Sequence, residues 1–222
     1  MLDRLLSTIA PHICSSCDDA HGLLCDRCFS DIIDNGYDQC IVCERPSAQS
    51  NLCSACHSSV VYDDAWVVGE RLEGLRELID RYKFDRAREG AHVLARLLHA
   101  RLPVLPAETL VTYIPTITSH VRQRGYDHMA LVAQELAVLR KLTCQPLLER
   151  QTSLPQRGAT KRERAHRQVG AFRVSSSVAS PVLLIDDVYT TGATMTAGAS
   201  AVREVSPHSL FVAVVARQPF DR

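Results

Sequence analysis

The sequence predicts an α/β fold with a twisted parallel sheet, preceded by a small cysteine-rich zinc-ribbon module. Two observations lead to this prediction. Eight of the nine cysteines lie between residues 14 and 56, and beyond them short apolar runs alternate with stretches of helical periodicity. The change of pattern near residue 62 divides the chain into a zinc-ribbon module at 1–62 and a second domain at 63–222.

The eight clustered cysteines form four Cys-x-x-Cys pairs, namely Cys14/Cys17, Cys25/Cys28, Cys40/Cys43 and Cys53/Cys56. Two thiolates at this spacing converge on one tetrahedral ion at about 2.3 Å, and two pairs complete a closed structural zinc site. Four pairs therefore predict two zinc ions. Disulfides would need an oxidising compartment, and an iron–sulfur cluster is the remaining alternative. Short hairpins at 18–24 and 44–52 favour sequential pairing, while a cross-braced arrangement stays open.

The formal net charge is zero, from 25 basic and 25 acidic side chains. Residues 1–66 hold three basic and ten acidic side chains, a net of −7, so residues 67–222 carry +7. An acidic zinc ribbon is unsuited to gripping phosphates, whereas the second domain can meet a polyanion. The neutral total conceals two oppositely charged parts.

The composition, 46% hydrophobic and 23% charged, is that of a globular chain and excludes wholesale disorder. No apolar run approaches the ~18 residues of a membrane span. Residues 1–7 lack the long apolar stretch of a cleaved signal. We therefore expect a cytoplasmic protein with no direct membrane insertion.

The helices and strands of the second domain are indicated by its apolar pattern. Helical spacing predicts helices around 72–79, 93–98 and 129–140. Residues 110–114 form an apolar run that is typical of a buried strand and ends before Pro115.

Three basic segments are candidates for contacts with anions. The first, 81–88, interleaves cations with aromatic residues, and the second, a predicted loop at 116–126, supplies Arg122 and Arg124. The third, 150–173, holds seven basic residues and one acid without sustained apolar periodicity. It is either a linker or a lid that orders over an anionic ligand.

The most informative stretch is 182–194, which is an apolar strand followed by two acids and a hydroxyl-rich loop where a helix begins. A buried strand at 210–216 is predicted after this helix. The loop consists of Thr190, Thr191, Gly192, Ala193 and Thr194. Its hydroxyls, its glycine and the free N–H groups of a helix N-terminus suit a monophosphate. Asp186 and Asp187 at the strand end can accept from vicinal sugar hydroxyls and orient a hydrated Mg²⁺. A phosphorylated ribose would suit both, its phosphate group the loop and its hydroxyl groups the acid pair.

Residues 182–194 resemble the phosphoribosyl pyrophosphate signature of type I phosphoribosyltransferases, and the whole chain is similar to the ComF family, in which a cysteine-paired zinc segment precedes such a domain. The resemblance rests on the cysteine pairs, Tyr82-Lys83-Phe84, Arg122-Gln123-Arg124-Gly125-Tyr126, Thr152, Pro155-Gln156, Glu163-Arg164, Gly170-Ala171-Phe172 and the signature itself. The chain departs from the family at Tyr126, Asp127 and His128, where the family usually has Phe, Asn and Gln, and near Arg167, where Asn is usual. The exchange at Asp127 puts a charge in that segment.

The resemblance implies roles for individual residues, with a mobile hood over the site. Asp186 and Asp187 would engage the ribose hydroxyls and Mg²⁺ as catalytic residues, and residues 190–194 would hold the 5′-phosphate. The pyrophosphate would be neutralised by Arg122, Arg124 and Lys83. Candidates for the hood and for contacts with DNA are Arg150, Gln156, Lys161 and Arg164.

The family resemblance also implies a function. It associates the chain with DNA uptake in natural competence, with phosphoribosyl pyrophosphate or a related sugar phosphate and single-stranded DNA as ligands. Proteins of the DNA-uptake machinery would be its partners. The alternative is a working phosphoribosyltransferase that moves phosphoribose to a nucleobase or amine in nucleotide metabolism. The residues leave the choice between a binding protein and an enzyme open, because none of them specifies an acceptor.

Overall fold

Strands and helices alternate after residue 63, as the sequence predicts for a parallel sheet. The structure is a computed structural model that describes residues 13–20, 22–47, 50–84, 89–151 and 171–219. Its elements are, in chain order, α1 Asp26–Asp34, α2 Ser54–His57, β1 Asp64–Glu70, α3 Glu73–Phe84, α4 Gly90–Arg101, β2 Leu110–Tyr113, α5 Thr118–Arg124, α6 His128–Arg140, β3 Thr143–Cys144, β4 Leu148–Arg150, β5 Phe172–Val174, β6 Val182–Tyr189, α7 Ala193–Glu204 and β7 Leu210–Arg217. Within these ranges no helix has the length and apolar character needed to cross a membrane.

Five of the strands form one parallel sheet in the order β1-β7-β6-β2-β3. β6 lies at its centre, paired with β7 on one side and with β2 on the other. Residues 182–185 of β6 are completely buried. Burial of both faces explains their uninterrupted apolar run, because a strand with one face exposed to water would alternate apolar and polar residues. The predicted α/β fold is confirmed, together with its strands at 110–114, 182–185 and 210–216.

Helices cover both faces of the sheet, and α3, α4 and α6 each bury the apolar stripe that predicts them. α3, α4 and α6 pack on one face, while α7 packs on the other, beside the antiparallel pair β4 and β5. α6 begins where the Asp127 side chain accepts hydrogen bonds from the backbone N–H groups of Met129 and Ala130. Asp127 is thus the helix cap, a role that the side-chain oxygen of either Asp or Asn can fill.

Two local features differ from the sequence predictions. The basic segment 116–126 was expected to be a loop but contains α5, whose end is set by Gly125 in the left-handed region at φ 82°. β1 was not predicted, because its short apolar core at 65–68 directly follows two aspartates. β1 pairs in parallel with β7 and forms one edge of the sheet.

The cysteine-rich segment is a tandem structural repeat. In each copy the residue after the first cysteine pair, Asp18 or Glu44, adopts a left-handed conformation, at φ 60° and 57° respectively. The second pair of each copy starts a helix, with Cys25 and Cys53 at the N-cap positions. Hydrogen bonds from the Ser15 N–H to Leu23 O at 2.9 Å and from the Ile41 N–H to Asn51 O at 2.7 Å close short hairpins between the pairs, although the described residues there form no regular strands.

The two copies of the repeat lie on opposite faces of the sheet. Leu23 and Cys28 join the hydrophobic core on the face of α3, α4 and α6. Ile41 and Cys56 join the core on the face of α7. The segment therefore passes round the outer edge of β1, and residues on either side of position 62 share both cores.

Asn51 closes the outer edge of β1 and is only 2% exposed. Its backbone N–H donates to Ala65 O at 2.8 Å, and its side-chain oxygen accepts from the Val67 N–H at 2.7 Å. Its side-chain NH₂ group donates to Tyr37 O at 2.6 Å and to Gln39 O at 3.0 Å. One buried amide thus pairs the edge strand with the segment between the two copies of the repeat.

Replacing Asn51 with alanine should lower the free energy of unfolding by about 3 kcal/mol, because several buried backbone groups lose their partners together. Asn35→Ala is the matched control, since Asn35 is exposed and its side chain bonds only to Asp31 O of its own helix. That variant should stay within about 0.5 kcal/mol of the wild type. Urea unfolding followed by circular dichroism measures both, and equal losses would contradict the role assigned to Asn51.

Candidate functional site

The acid pair and the threonine loop lie together at the carboxyl edge of the sheet. Asp186 and Asp187 belong to the second half of β6, and the chain then turns directly into α7. Gly192 is the N-cap of α7 at φ 77°, and a side chain there would overlap the Tyr189 hydroxyl. Only glycine fits this turn, because the Tyr189 hydroxyl occupies the space that a Cβ atom would need.

A cavity of about 320 Å³ lies beside this loop. Its walls combine residues of the three basic segments with the acid pair, namely Lys83, Phe84, Ile114, Pro115, Thr116, Ile117, His120, Arg124, His128, Arg150, Asp186, Asp187 and Thr194. An adjoining recess of about 20 Å³ is lined by the loop residues Thr190, Gly192 and Thr194. Of the other predicted site residues, Thr191 is exposed on the loop, Ala193 lies in the first turn of α7, and Arg122 is exposed on α5 outside the cavity.

Asp187 is the charged centre of the cavity. Its Oδ2 atom forms an ion pair with Lys83 Nζ at 2.7 Å and a short hydrogen bond with His128 Nε2. The side chains of Lys83, His128 and Asp187 are 17%, 8% and 9% exposed, so all three are shielded from water. Because they come from α3, α6 and β6, this contact joins three elements at one carboxylate.

His128 is the residue of this site that the sequence did not single out as a ligand-binding or catalytic group. Its Nδ1 lies 2.8 Å from Thr116 Oγ1 and 3.2 Å from Arg124 Nη1. A guanidinium can only donate, so Nδ1 is the acceptor and Nε2 carries the proton that points to Asp187. The available signal was position, since His128 is one of the departures from the ComF pattern.

The two neighbouring carboxyls have opposite protonation preferences. Burial by itself would raise the pKa of Asp187, but the hydrogen bond from His128 and the charge of Lys83 outweigh it and hold that pKa below its ordinary value. Burial raises the pKa of Asp186 well above its ordinary value, and the charge of Asp187 raises it further. Asp187 is thus the stable anion, whereas the charges of Lys83 and Arg150 do not outweigh the burial of Asp186 and the charge of Asp187.

Arg150 is the anchored end of the predicted lid. It lies in β4, where its guanidinium stacks 4.7 Å from the Phe172 ring of β5 and its Nε donates to Pro115 O at 3.3 Å. The ends of segment 150–173, predicted to lack regular structure, therefore pair as two antiparallel strands beside the cavity. The other hood candidates, Gln156, Lys161 and Arg164, lie outside the described residues.

The paired cysteines form two groups of four with all sulfurs within 4.8 Å of one another. The first cysteine group is Cys14, Cys17, Cys25 and Cys28, and the second is Cys40, Cys43, Cys53 and Cys56. Sequential pairing is therefore confirmed, and the cross-braced alternative is excluded. In each group the two inner sulfurs are 3.7 Å apart. Tetrahedral bonds of about 2.3 Å to one zinc ion place sulfurs about 3.8 Å apart, whereas a disulfide requires about 2.05 Å.

The electrostatics of both groups also suit a bound cation. Burial raises the pKa of Cys28 to about 12 and that of Cys56 to about 12, so four thiolates cannot coexist without added positive charge. Arg45 Nε donates to Cys43 Sγ at 3.3 Å, and a hydrogen bond to Cys17 raises the pKa of Arg27. These two arginines of the acidic module therefore face sulfur and not a nucleic acid.

Comparison with known proteins identifies one that this chain resembles over most of its length. No family model matches the chain. Competence protein F of Haemophilus influenzae is 27% identical over 207 residues, an alignment that covers 80% of this chain and 90% of that protein. The chain is a homologue of competence protein F. This match and the two cysteine groups confirm the resemblance to the ComF family. A parallel sheet preceded by two four-cysteine groups is the zinc-ribbon and phosphoribosyltransferase-like architecture which that resemblance implies.

Asparagine in place of either acid of this competence protein F homologue should change stability in opposite directions. Asp187→Asn removes the anion that Lys83 and His128 face, so the free energy of unfolding at pH 7 should fall by about 3 kcal/mol. Asp186→Asn removes a carboxyl whose pKa is raised in the folded state, so stability at pH 7 should rise by about 1 kcal/mol.

The pH dependence of the two effects distinguishes them. A raised carboxyl pKa opposes folding only where the unfolded chain would be ionised, so the gain from Asp186→Asn should shrink as the pH falls towards about 3.9. The lowered pKa of Asp187 stabilises the fold above about 3.9, and this contribution is lost below it. Urea unfolding between pH 3 and 8 measures both, and destabilisation by both variants at pH 7 would contradict this assignment.

Proposed function

We propose that this chain binds phosphoribosyl pyrophosphate, or a related sugar phosphate, together with Mg²⁺ in the cavity at the carboxyl edge of the sheet. The observation that carries the proposal is the meeting of the acid pair, the Gly192 turn and three cations at this cavity. Such a cavity has one half for phosphate groups and one half for a metal ion and sugar hydroxyls. A sugar phosphate needs both halves.

Residues 190–194, hereafter the phosphate loop, would hold the 5′-phosphate. The twelve-residue helix α7 begins inside this loop and directs the positive end of its dipole and its first N–H groups towards it. Gly192 admits the close approach of a phosphate oxygen to the backbone, and Thr194 lines both the cavity and the recess. Thr190 and Thr191 add exposed hydroxyls at the rim.

Asp186 and Asp187 would face the ribose hydroxyls and Mg²⁺. The contacts of Asp187 with Lys83 and His128 converge on Oδ2, while Asp186 accepts the backbone N–H of Asp187 on Oδ1 at 2.9 Å. Carboxylate and phosphate oxygens are the usual ligands of Mg²⁺. A divalent cation there would offset the unfavourable charge of Asp186.

The pyrophosphate would meet Lys83 and Arg124. Both cations already contact the acid network, Lys83 at Asp187 and Arg124 at His128, so ligand phosphates would compete with protein groups for them. Arg150 lines the same cavity and takes the part expected of Arg122, which is exposed on α5. A planar guanidinium suits bidentate contact with phosphate oxygens.

We also propose that the chain handles single-stranded DNA in the cytoplasm during DNA uptake. Support comes from the name of competence protein F and from the charge of +7 on residues 67–222. A cationic surface can hold the backbone of a single strand without reading its bases. The acidic module at 1–62 would face proteins of the uptake machinery instead.

A second candidate function is phosphoribosyl transfer to a nucleobase or amine. The observation in its favour is that apolar residues, Ile114, Ile117 and Phe84, line the cavity next to the acid pair, where an uncharged acceptor could pack. The charged walls would stabilise an oxocarbenium-like transition state as pyrophosphate leaves ribose C1. Asp186 and Asp187 would then be catalytic residues.

Binding of phosphoribosyl pyrophosphate with Mg²⁺ should be measurable by isothermal titration calorimetry, and Gly192→Ala should weaken it by about tenfold or more. The added methyl group overlaps the Tyr189 hydroxyl, and the positive φ strains the turn. Gly22→Ala is the matched control, because Gly22 also has a positive φ, 96°, but faces open space in the cysteine-rich segment. Wild-type protein without affinity would refute the proposal, and equal losses in both variants would reduce the Gly192 effect to general strain.

Two further measurements separate the candidate functions. Anisotropy of a labelled single-stranded oligonucleotide should show affinity falling by about 100-fold between 50 and 200 mM salt if about five phosphates are neutralised. Release of pyrophosphate in the presence of nucleobases or amines should be absent from a binding protein and present in a transferase. Absent or salt-insensitive binding of the oligonucleotide would refute the proposal that the chain handles single-stranded DNA.

A further inference from the structure

Arg217, the last residue of β7, is 1% exposed and joins two distant segments. Its Nε donates to Ile41 O at 2.9 Å, and its Nη1 donates to Thr190 O at 2.9 Å. Its Nη2 lies 3.6 Å from the Glu44 carboxylate. Ile41 lies between Cys40 and Cys43 of the second cysteine group, whereas Thr190 begins the phosphate loop. One guanidinium therefore bonds to both.

Tyr189 extends this contact into the glycine turn. Its ring centre lies 5.1 Å from the Arg217 guanidinium carbon, and its hydroxyl occupies the space next to Gly192. Tyr189 also belongs to the same hydrophobic core as Cys40 and Cys56. Arg217 and Tyr189 thus form a layer that packs against the phosphate loop. The second cysteine group packs against the other side of that layer.

The first cysteine group has a comparable arginine, but among the described residues this arginine has no recorded bond to the loop. Arg81 of α3 donates from Nη1 to Ile13 O at 2.7 Å and to Ser15 Oγ at 3.4 Å, on either side of Cys14. In the described part of the chain, these hydrogen bonds of Arg81 stay within the first group. The placement of the two cysteine groups on opposite faces of the sheet explains the difference.

We propose that Arg217 is a positioning residue for the phosphate loop, and that through it the second cysteine group, but not the first, holds the loop in its binding shape. The planar guanidinium bonds two carbonyl groups in fixed relative positions, which a flexible ammonium cannot reproduce. Loss of metal from the second group would release Ile41 and, with it, one side of the loop. The effect on ligand affinity rests on the proposed function, but the link itself does not.

Arg217→Lys tests the link with its charge retained, and Arg81→Lys is the matched control at the first group. Hydrogen–deuterium exchange of the full-length chain should become about tenfold faster for amides of residues 189–194 in Arg217→Lys. Affinity for phosphoribosyl pyrophosphate with Mg²⁺ should fall by about tenfold as well. Arg81→Lys should change the exchange of residues 189–194 by no more than about twofold, and exchange is its only readout because Arg81 lies two residues from Lys83.

A second pair of variants tests the metal-binding groups themselves and serves if Arg217→Lys fails to fold. Plasma mass spectrometry should find two zinc ions per wild-type chain and one in Cys17→Ser and in Cys43→Ser. Only Cys43→Ser should speed exchange in residues 189–194. A folded Arg217→Lys variant with wild-type exchange, or equal acceleration by both cysteine variants, would overturn the proposal. Wild-type protein without sugar-phosphate affinity would refute the proposed function alone, because the exchange comparison needs no ligand.

Discussion

The outer edge of β1 carries a row of backbone N–H and C=O groups that need partners, since an open edge costs stability and invites aggregation. The cysteine-rich segment supplies those partners. Besides the contacts of Asn51, the Tyr37 N–H donates to Val68 O at 3.2 Å, and Arg101 donates to Val67 O at 3.1 Å. Because the segment must pass along this edge, one cysteine group falls on each face of the sheet. That placement lets Arg217 bond both to Ile41 of the second cysteine group and to Thr190 of the phosphate loop.

The cysteine-rich segment and the cavity differ in charge. The cysteine-rich segment is acidic, and its arginines 27 and 45 are engaged by thiol sulfur. The cavity gathers Lys83, Arg124 and Arg150 around two carboxyls, one held as an anion and the other opposed to ionisation. The proposed sugar phosphate and its metal ion would add a cation near Asp186 and anions near the arginines.

Patterns that depend on neighbours in sequence were predictable. The apolar run 182–185 and the helical stripe at 129–140 indicate which faces of these elements are buried. The Cys-x-x-Cys spacing indicates which sulfurs can bind one ion. Features that depend on distant partners were not predictable. β1 is apolar over only four residues and is a strand because β7 and Asn51 bond its two sides. His128 enters the site because the start of α6 packs against the end of β6.

The sequence by itself determined the α/β class, the four cysteine pairs, the acid pair and the phosphate loop, because each is encoded by local periodicity or by residue types at short spacing. Only the tertiary structure decided that Lys83 and His128 neutralise Asp187 and that Arg217 bonds to both Ile41 and Thr190. These contacts join residues far apart in the chain. Their distances follow from how the sheet edge, the helices and the cysteine groups pack, and no local pattern contains that information.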